Sequence, residues 1–153
     1  ILFGIQGFTS DDAGVLDFLS AVDEKMLHCE DRYTAFDIHR SFYGLQGMSS
    51  DYPEVTDILV TLYRHLRNCE ENFNLLNLTQ CLYGLHNMSC RHGIVQDVLL
   101  TTFHKCGGIH INKLLERPND VSDSDWYRCT SDLWRALVIF ENSVDCIPKL
   151  LTN

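Results

Sequence analysis

Apolar residues along this chain recur three and four apart, and the recurrence itself repeats. From Val55 they fall at Val55, Ile58, Leu59, Leu62 and Leu66, which is one stripe on a 3.6-residue helix. Forty residues earlier the same places hold Val15, Phe18, Leu19, Val22 and Met26. Forty residues later they hold Val95, Val98, Leu99, Thr102 and Cys106, with Phe103 alongside. A shorter helix precedes the second and third of these. Its face is Ile38, Phe42 and Leu45 in one copy and Leu78, Leu82 and Leu85 in the next, spaced i, i+4, i+7. The pattern predicts that both stripes of every unit face a common core.

The short helices end in a shared motif: LFGIQGFTS at 2–10, FYGLQGMSS at 42–50 and LYGLHNMSC at 82–90. Gly4, Gly44 and Gly84 fix its register, and self-similarity at this period signals stacked helical units. A glycine inside a helix costs about 1 kcal/mol against alanine. The expected reason for it is close approach of a neighbouring helix. Gly7 and Gly47, with Asn87 in the third copy, are expected to close the short helices in the left-handed conformation. Asp51 is expected to cap the next helix, with Pro53 in its first turn and Glu54 at capping-box spacing. Arg91 and Gly93 at the corresponding entry predict a weaker start. Asp11 and Asp12 are expected to complement a helix dipole.

The fold expected is all-α: a right-handed αα-hairpin solenoid of three repeats with a degenerate C-terminal helical cap, all in a single domain, 1–153. The repeats span about 1–30, 31–70 and 71–115. ERPNDVSDSD at 116–125 reads as a polar loop, and 126–153 as the cap, with Leu133, Ala136, Leu137 and Phe140 on one face.

Composition narrows the function more than the fold. The net charge of −9, from 21 acidic and 12 basic residues, repels phosphate backbones and argues against a general nucleic-acid binder. Arg64, His65 and Arg67 form the densest basic group, and Glu70 and Glu71 follow directly. No apolar run approaches the length that spans a bilayer, and no signal or transit pattern is present. The chain opens on Ile1 rather than Met, which reads as a processed or partial polypeptide. Seven cysteines, an odd number without a CxxC, do not suggest a disulfide framework. Cys29 and Cys69 occupy one repeat position and are expected to fill the same small buried slot.

Chemistry is sparse. Cys81, His86, Cys90 and His92 fall close together, but their spacing matches no zinc-ligand pattern, so no metal or cofactor is expected. There is no GxSxG, HExxH or phosphate-binding loop, and no catalytic residues are assigned; the protein is expected not to be an enzyme. The sequons at Asn77 and Asn87 are read as chance. Phe3, Tyr43 and Tyr83 stand in register before the glycines. They form either a packing ladder or, with Tyr43 and Tyr83 exposed, a base-stacking surface; the ladder is favoured because no cation is expected beside the rings. Trp126, Tyr127 and Trp134 lie outside the repeat and are the candidate partner-binding residues, with cap packing as the other reading.

A helix ending in Leu-aromatic-small-Leu every 38–40 residues, with Gln80 just before LYGL, resembles the octotricopeptide-type repeats and the repeats that precede RAP domains. The resemblance covers residues 1–106. It implies an αα-solenoid, work in an organelle, chloroplast more than mitochondrion, and for most members the handling of RNA. Arg40 stands where those families place a small residue, and the acidic charge departs from their basic RNA binders. The function expected is therefore a non-catalytic scaffold or accessory subunit that contacts other proteins in a larger organellar assembly, such as a photosystem. The alternative is an octotricopeptide-type RNA-binding module. No DNA partner and no membrane span are expected.

Overall fold

The computed structural model describes residues 1–106, 122–124, 127 and 131. Among these the regular structure is entirely helical. A single 3-10 turn, Leu2–Ile5, is followed by α1 (Ala13–Leu27), α2 (Ala35–Gly44), α3 (Pro53–Asn68), α4 (Leu75–Gly84) and α5 (Gly93–Lys105). The short helices form one row, with α2 against the 3-10 turn on one side and α4 on the other. The long helices form a second row, in which α3 packs against both α1 and α5. Between the rows lies the core. Ile38, Phe42, Leu45, Leu59, Leu62, Leu66, Leu78 and Leu85 are among its wholly enclosed residues, so both stripes of the middle unit are buried throughout.

The helix starts differ from the sequence expectation. Asp51 does not cap α3: the N-cap is Tyr52, which makes no side-chain capping bond. The Asp51 carboxylate lies one residue too early and instead accepts the Ser49 hydroxyl at 3.1 Å, with His92 at 3.6 Å. Pro53 does open the helix, where its missing N–H costs nothing. The capping boxes belong to the short helices, Thr34 with Asp37 on α2 and Asn74 with Asn77 on α4. Asp12 caps α1 by accepting from the Gly14 amide at 2.8 Å.

The helix ends differ too. α2 closes at Leu45 and α4 at Leu85, both with negative φ. No described glycine takes the left-handed conformation, so Gly7 and Gly47 are not C-caps. Gly47 serves a different need, because a Cβ there would lie 2.0 Å from the Phe8 carbonyl oxygen.

Most of the expected C-terminal cap and of the polar loop, and the third repeat beyond Cys106, lie outside the described residues. Asp123 and Ser124 are helical, so helix is already present inside the segment read as a loop.

Candidate functional site

Two surfaces of the short-helix row carry the features singled out by sequence. The first is the seam along the motif. An added Cβ at Gly44 would sit 2.1 Å from the Leu2 carbonyl oxygen, and at Gly84 1.9 Å from that of Phe42. Each glycine thus admits the backbone of the preceding unit, which is the close approach the sequence called for. Gly4 holds the same position in the first unit, yet a Cβ there would meet nothing within 4 Å.

Polar groups repeat along this seam. The Ser49 amide donates to Ser10 Oγ at 3.0 Å, and the Ser89 amide to Ser50 Oγ at 2.8 Å. Gln46 donates through Nε2 to the Gln6 carbonyl, and Asn87 through Nδ2 to that of Gln46. Asn87 is exposed, whereas Asn77 is buried within its capping box.

The three aromatic rings stack in order. Phe3 and Tyr43 have centroids 5.9 Å apart, and Tyr43 and Tyr83 5.5 Å, with interplanar angles of 25° and 22°. Offset stacking of this kind suits the ring quadrupoles. Tyr83 also has His86 at 5.0 Å. One expectation is corrected here. The rings do have a cation: the Arg40 guanidinium lies 4.6 Å from the Phe3 centroid and 4.4 Å from that of Phe36.

The second surface is a groove of about 790 Å³ beside α1 and α2. Its walls include Ile1, Phe3, Cys29, Asp31, Phe36 and Arg40. Phe36 is 54% exposed in it. Burial first, and then Cys29 beside it, push the Tyr33 phenol above its usual range. Hydrogen bonds from Thr34 hold the Asp37 carboxyl below its usual range. Near neutral pH the phenol is thus protonated and the carboxylate ionised.

The remaining candidates fall as follows. Cys81 is enclosed in α4, and burial raises its thiol well above the usual range. Burial pushes Cys106 to about 12, so neither is a thiolate at neutral pH. Cys90 is buried and His92 faces Asp51. Among the described residues no three His, Cys, Asp or Glu side chains are grouped to hold a metal ion. No disulfide joins the five described cysteines to one another. Cys69 fills a buried slot, but its counterpart Cys29 is only half-buried and lines the groove, which corrects the expectation that both are buried alike. Tyr127 is 72% exposed, whereas Trp126 and Trp134 lie outside the described residues. Among the described residues no helix is long and apolar enough to cross a membrane.

Sequence reasoning missed Asp31, Tyr33 and Phe36 as a group. The signal was present in the Arg40 and Phe36 positions, which hold Gln80 and Leu76 one unit later. A larger side chain at both positions, and a charge at one, mark a place where the packing differs.

No family model, curated protein or solved structure matches this chain.

Proposed function

We propose that the chain is a short right-handed αα-hairpin solenoid that works as a non-catalytic scaffold or accessory subunit, holding other proteins in a larger assembly. One observation carries this reading. Asp17, Asp57 and Asp97 stand at one repeat position on α1, α3 and α5, and all three are exposed. Val60, 53% exposed, lies one turn along α3 from Asp57. An acidic row with exposed Val60 beside it suits a basic, partly apolar protein surface and disfavours a phosphate backbone. Exposed Tyr127, with Trp126 and Trp134, belongs to the same reading as a second contact surface.

The organellar setting, chloroplast before mitochondrion, rests on the resemblance to the octotricopeptide-type repeats. So does the alternative function, an RNA-binding module. That alternative has one observation in its favour, the Arg40 guanidinium set over Phe3, the first ring of the in-register ladder. The ladder also weighs against it, because Tyr43 has Phe3 on one side and Tyr83 on the other, which leaves little ring face for a base.

Native purification at about 0.15 M salt, near physiological ionic strength, separates the two. Protein subunits that stay bound after nuclease treatment support the scaffold. Charge reversal at Asp17, Asp57 and Asp97 is then expected to release them. Recovery of RNA, lost steeply as salt rises, would sink the scaffold and make Tyr43 and Tyr83 the residues to mutate.

A further inference from the structure

Two buried polar side chains meet where α2 packs on α4. His39 and Asn77 are 3% and 7% exposed, and His39 Nδ1 lies 2.7 Å from Asn77 Nδ2. The capping box of α4 fixes which way the Asn77 amide points. Its Oδ1 accepts the Asn74 amide at 3.0 Å, which leaves Nδ2 to face His39. Nδ2 can only donate, so Nδ1 accepts, and the neutral ring carries its proton on Nε2. The Ala35 carbonyl stands 2.8 Å from the same Nδ1. A proton on Nδ1 would be donated to Ala35 and would set two donors against each other at Asn77. Turning the amide over would place Nδ2 against the Asn74 N–H and break the box instead. The site therefore has two hydrogen-bond patterns, and each excludes the other.

We infer that His39 and Asn77 form a proton-sensitive joint between the second and third units, closed while Nδ1 is bare and opened, with the α4 capping box, when Nδ1 takes a proton. The surroundings favour the bare ring. Burial holds it below the usual histidine range and Arg40 adds to this, while the Ala35 carbonyl and Asp37 oppose it. The elements packed against α2 supply no carboxylate to hold a charged ring. The 3-10 turn, Leu2–Ile5, has no titratable side chain, and on α4 the titratable groups are Cys81 and Tyr83. Glu71, just ahead of α4, is occupied by the Ala35 amide at 2.7 Å. On the α3 side His65 is buried and stacks on Tyr33 at 4.0 Å. The Gly84 contact lies at the opposite end of α4 and contains no titrating group, so the two units stay tethered while the joint opens. The joint belongs to this pair of units. Thr79 holds the His39 position one repeat on, and Asp37 holds the Asn77 position one repeat back. The inference stands whether the protein holds subunits or RNA.

The test is an NMR titration of the full 153-residue chain with isotopically labelled histidine nitrogens. At about pH 7.5, a unit above the ordinary histidine value, His39 is expected to hold its proton on Nε2; a proton on Nδ1 there overturns the inference. By about pH 5.5, a unit below that value, opening at the Asn74 and Asn77 amides should rise about tenfold, read by hydrogen exchange corrected for its intrinsic pH dependence. In His39→Gln, whose side-chain oxygen accepts from Asn77 at either pH, the rise should vanish. Asn77→Asp keeps a box of the kind Asp37 makes with Thr34 and offers His39 an acceptor. Its His39 ring should titrate above the ordinary value, and opening should fall as pH drops. Unchanged titration of His39 in Asn77→Asp, or a rise that persists in His39→Gln, overturns the inference.

Discussion

Gly84 and Gly4 hold the same place in the repeat and live in opposite surroundings. At Gly84 a methyl group would overlap the Phe42 carbonyl, whereas at Gly4 it would meet open space. The residue type records a position in the unit, and the neighbour decides what that position costs. The same contrast separates Cys69 from Cys29 and Ile58, wholly buried, from Phe18, 37% exposed. The middle unit has a unit on each side; the described part of the first has one only on its α2–α3 side.

The sharpest way to break this comparison is a pair of alanines. Gly84→Ala should cost about 3 kcal/mol, because backbone must move to admit the methyl group. Gly4→Ala should be neutral or stabilising by about 0.5 kcal/mol, since only the backbone entropy of glycine is removed. Urea denaturation of both variants measures this, and equal losses would mean the slot at Gly84 is not a contact between units.

A smaller effect is expected at the serine clips. Ser50→Ala removes the acceptor for the Ser89 amide and leaves that donor without its partner, for about 1–2 kcal/mol. Ser50→Thr, which keeps the oxygen, should retain more of the stability than Ser50→Ala. If the two variants lose equally, packing rather than the hydrogen bond is what Ser50 supplies.

The smallest effect expected is on pH. Burial holds the His39 and His65 rings below the usual histidine range. In the unfolded chain they titrate near 6.5. Below that pH the unfolded state binds protons that the folded state refuses, so stability falls as pH drops from about 7 toward 5. At higher pH both states are neutral and the contribution vanishes. Melting curves across this window should flatten in His39→Asn. A slope unchanged in that variant would assign the effect to His65, which stacks on Tyr33 at a centroid distance of 4.0 Å.

These cases also mark what the sequence made legible. The stripe on α3 is buried at every position named from the pattern, from Val55 to Leu66. The same stripe on α1 contains exposed Phe18 and half-buried Val22. Periodicity identifies the apolar face of a helix but not whether anything lies opposite it. Helix starts were misread for a related reason. Asp-x-Pro-Glu looked like a capping box at α3, but whether Asp51 reaches the amides depends on a single residue of offset that spacing does not fix. The true boxes, Thr34 with Asp37 and Asn74 with Asn77, were written in the sequence as Thr-x-x-Asp and Asn-x-x-Asn. The groove was the least legible feature, since it exists only as a difference between two copies of one surface.

The seam has a further consequence in chain distance. Ser49 reaches back 39 residues to Ser10, Ser89 reaches back 39 to Ser50, and Asn87 reaches back 41 to Gln46. Each closure is one repeat long, whichever pair of units makes it. The entropy of closing a loop grows with the logarithm of its length, so every docking step along this seam carries nearly the same cost. Each of these bonds joins one copy of the motif to the copy next to it. Such a chain can begin folding at any adjacent pair and grow in either direction, and a nascent chain can dock each unit on its predecessor as soon as both are made.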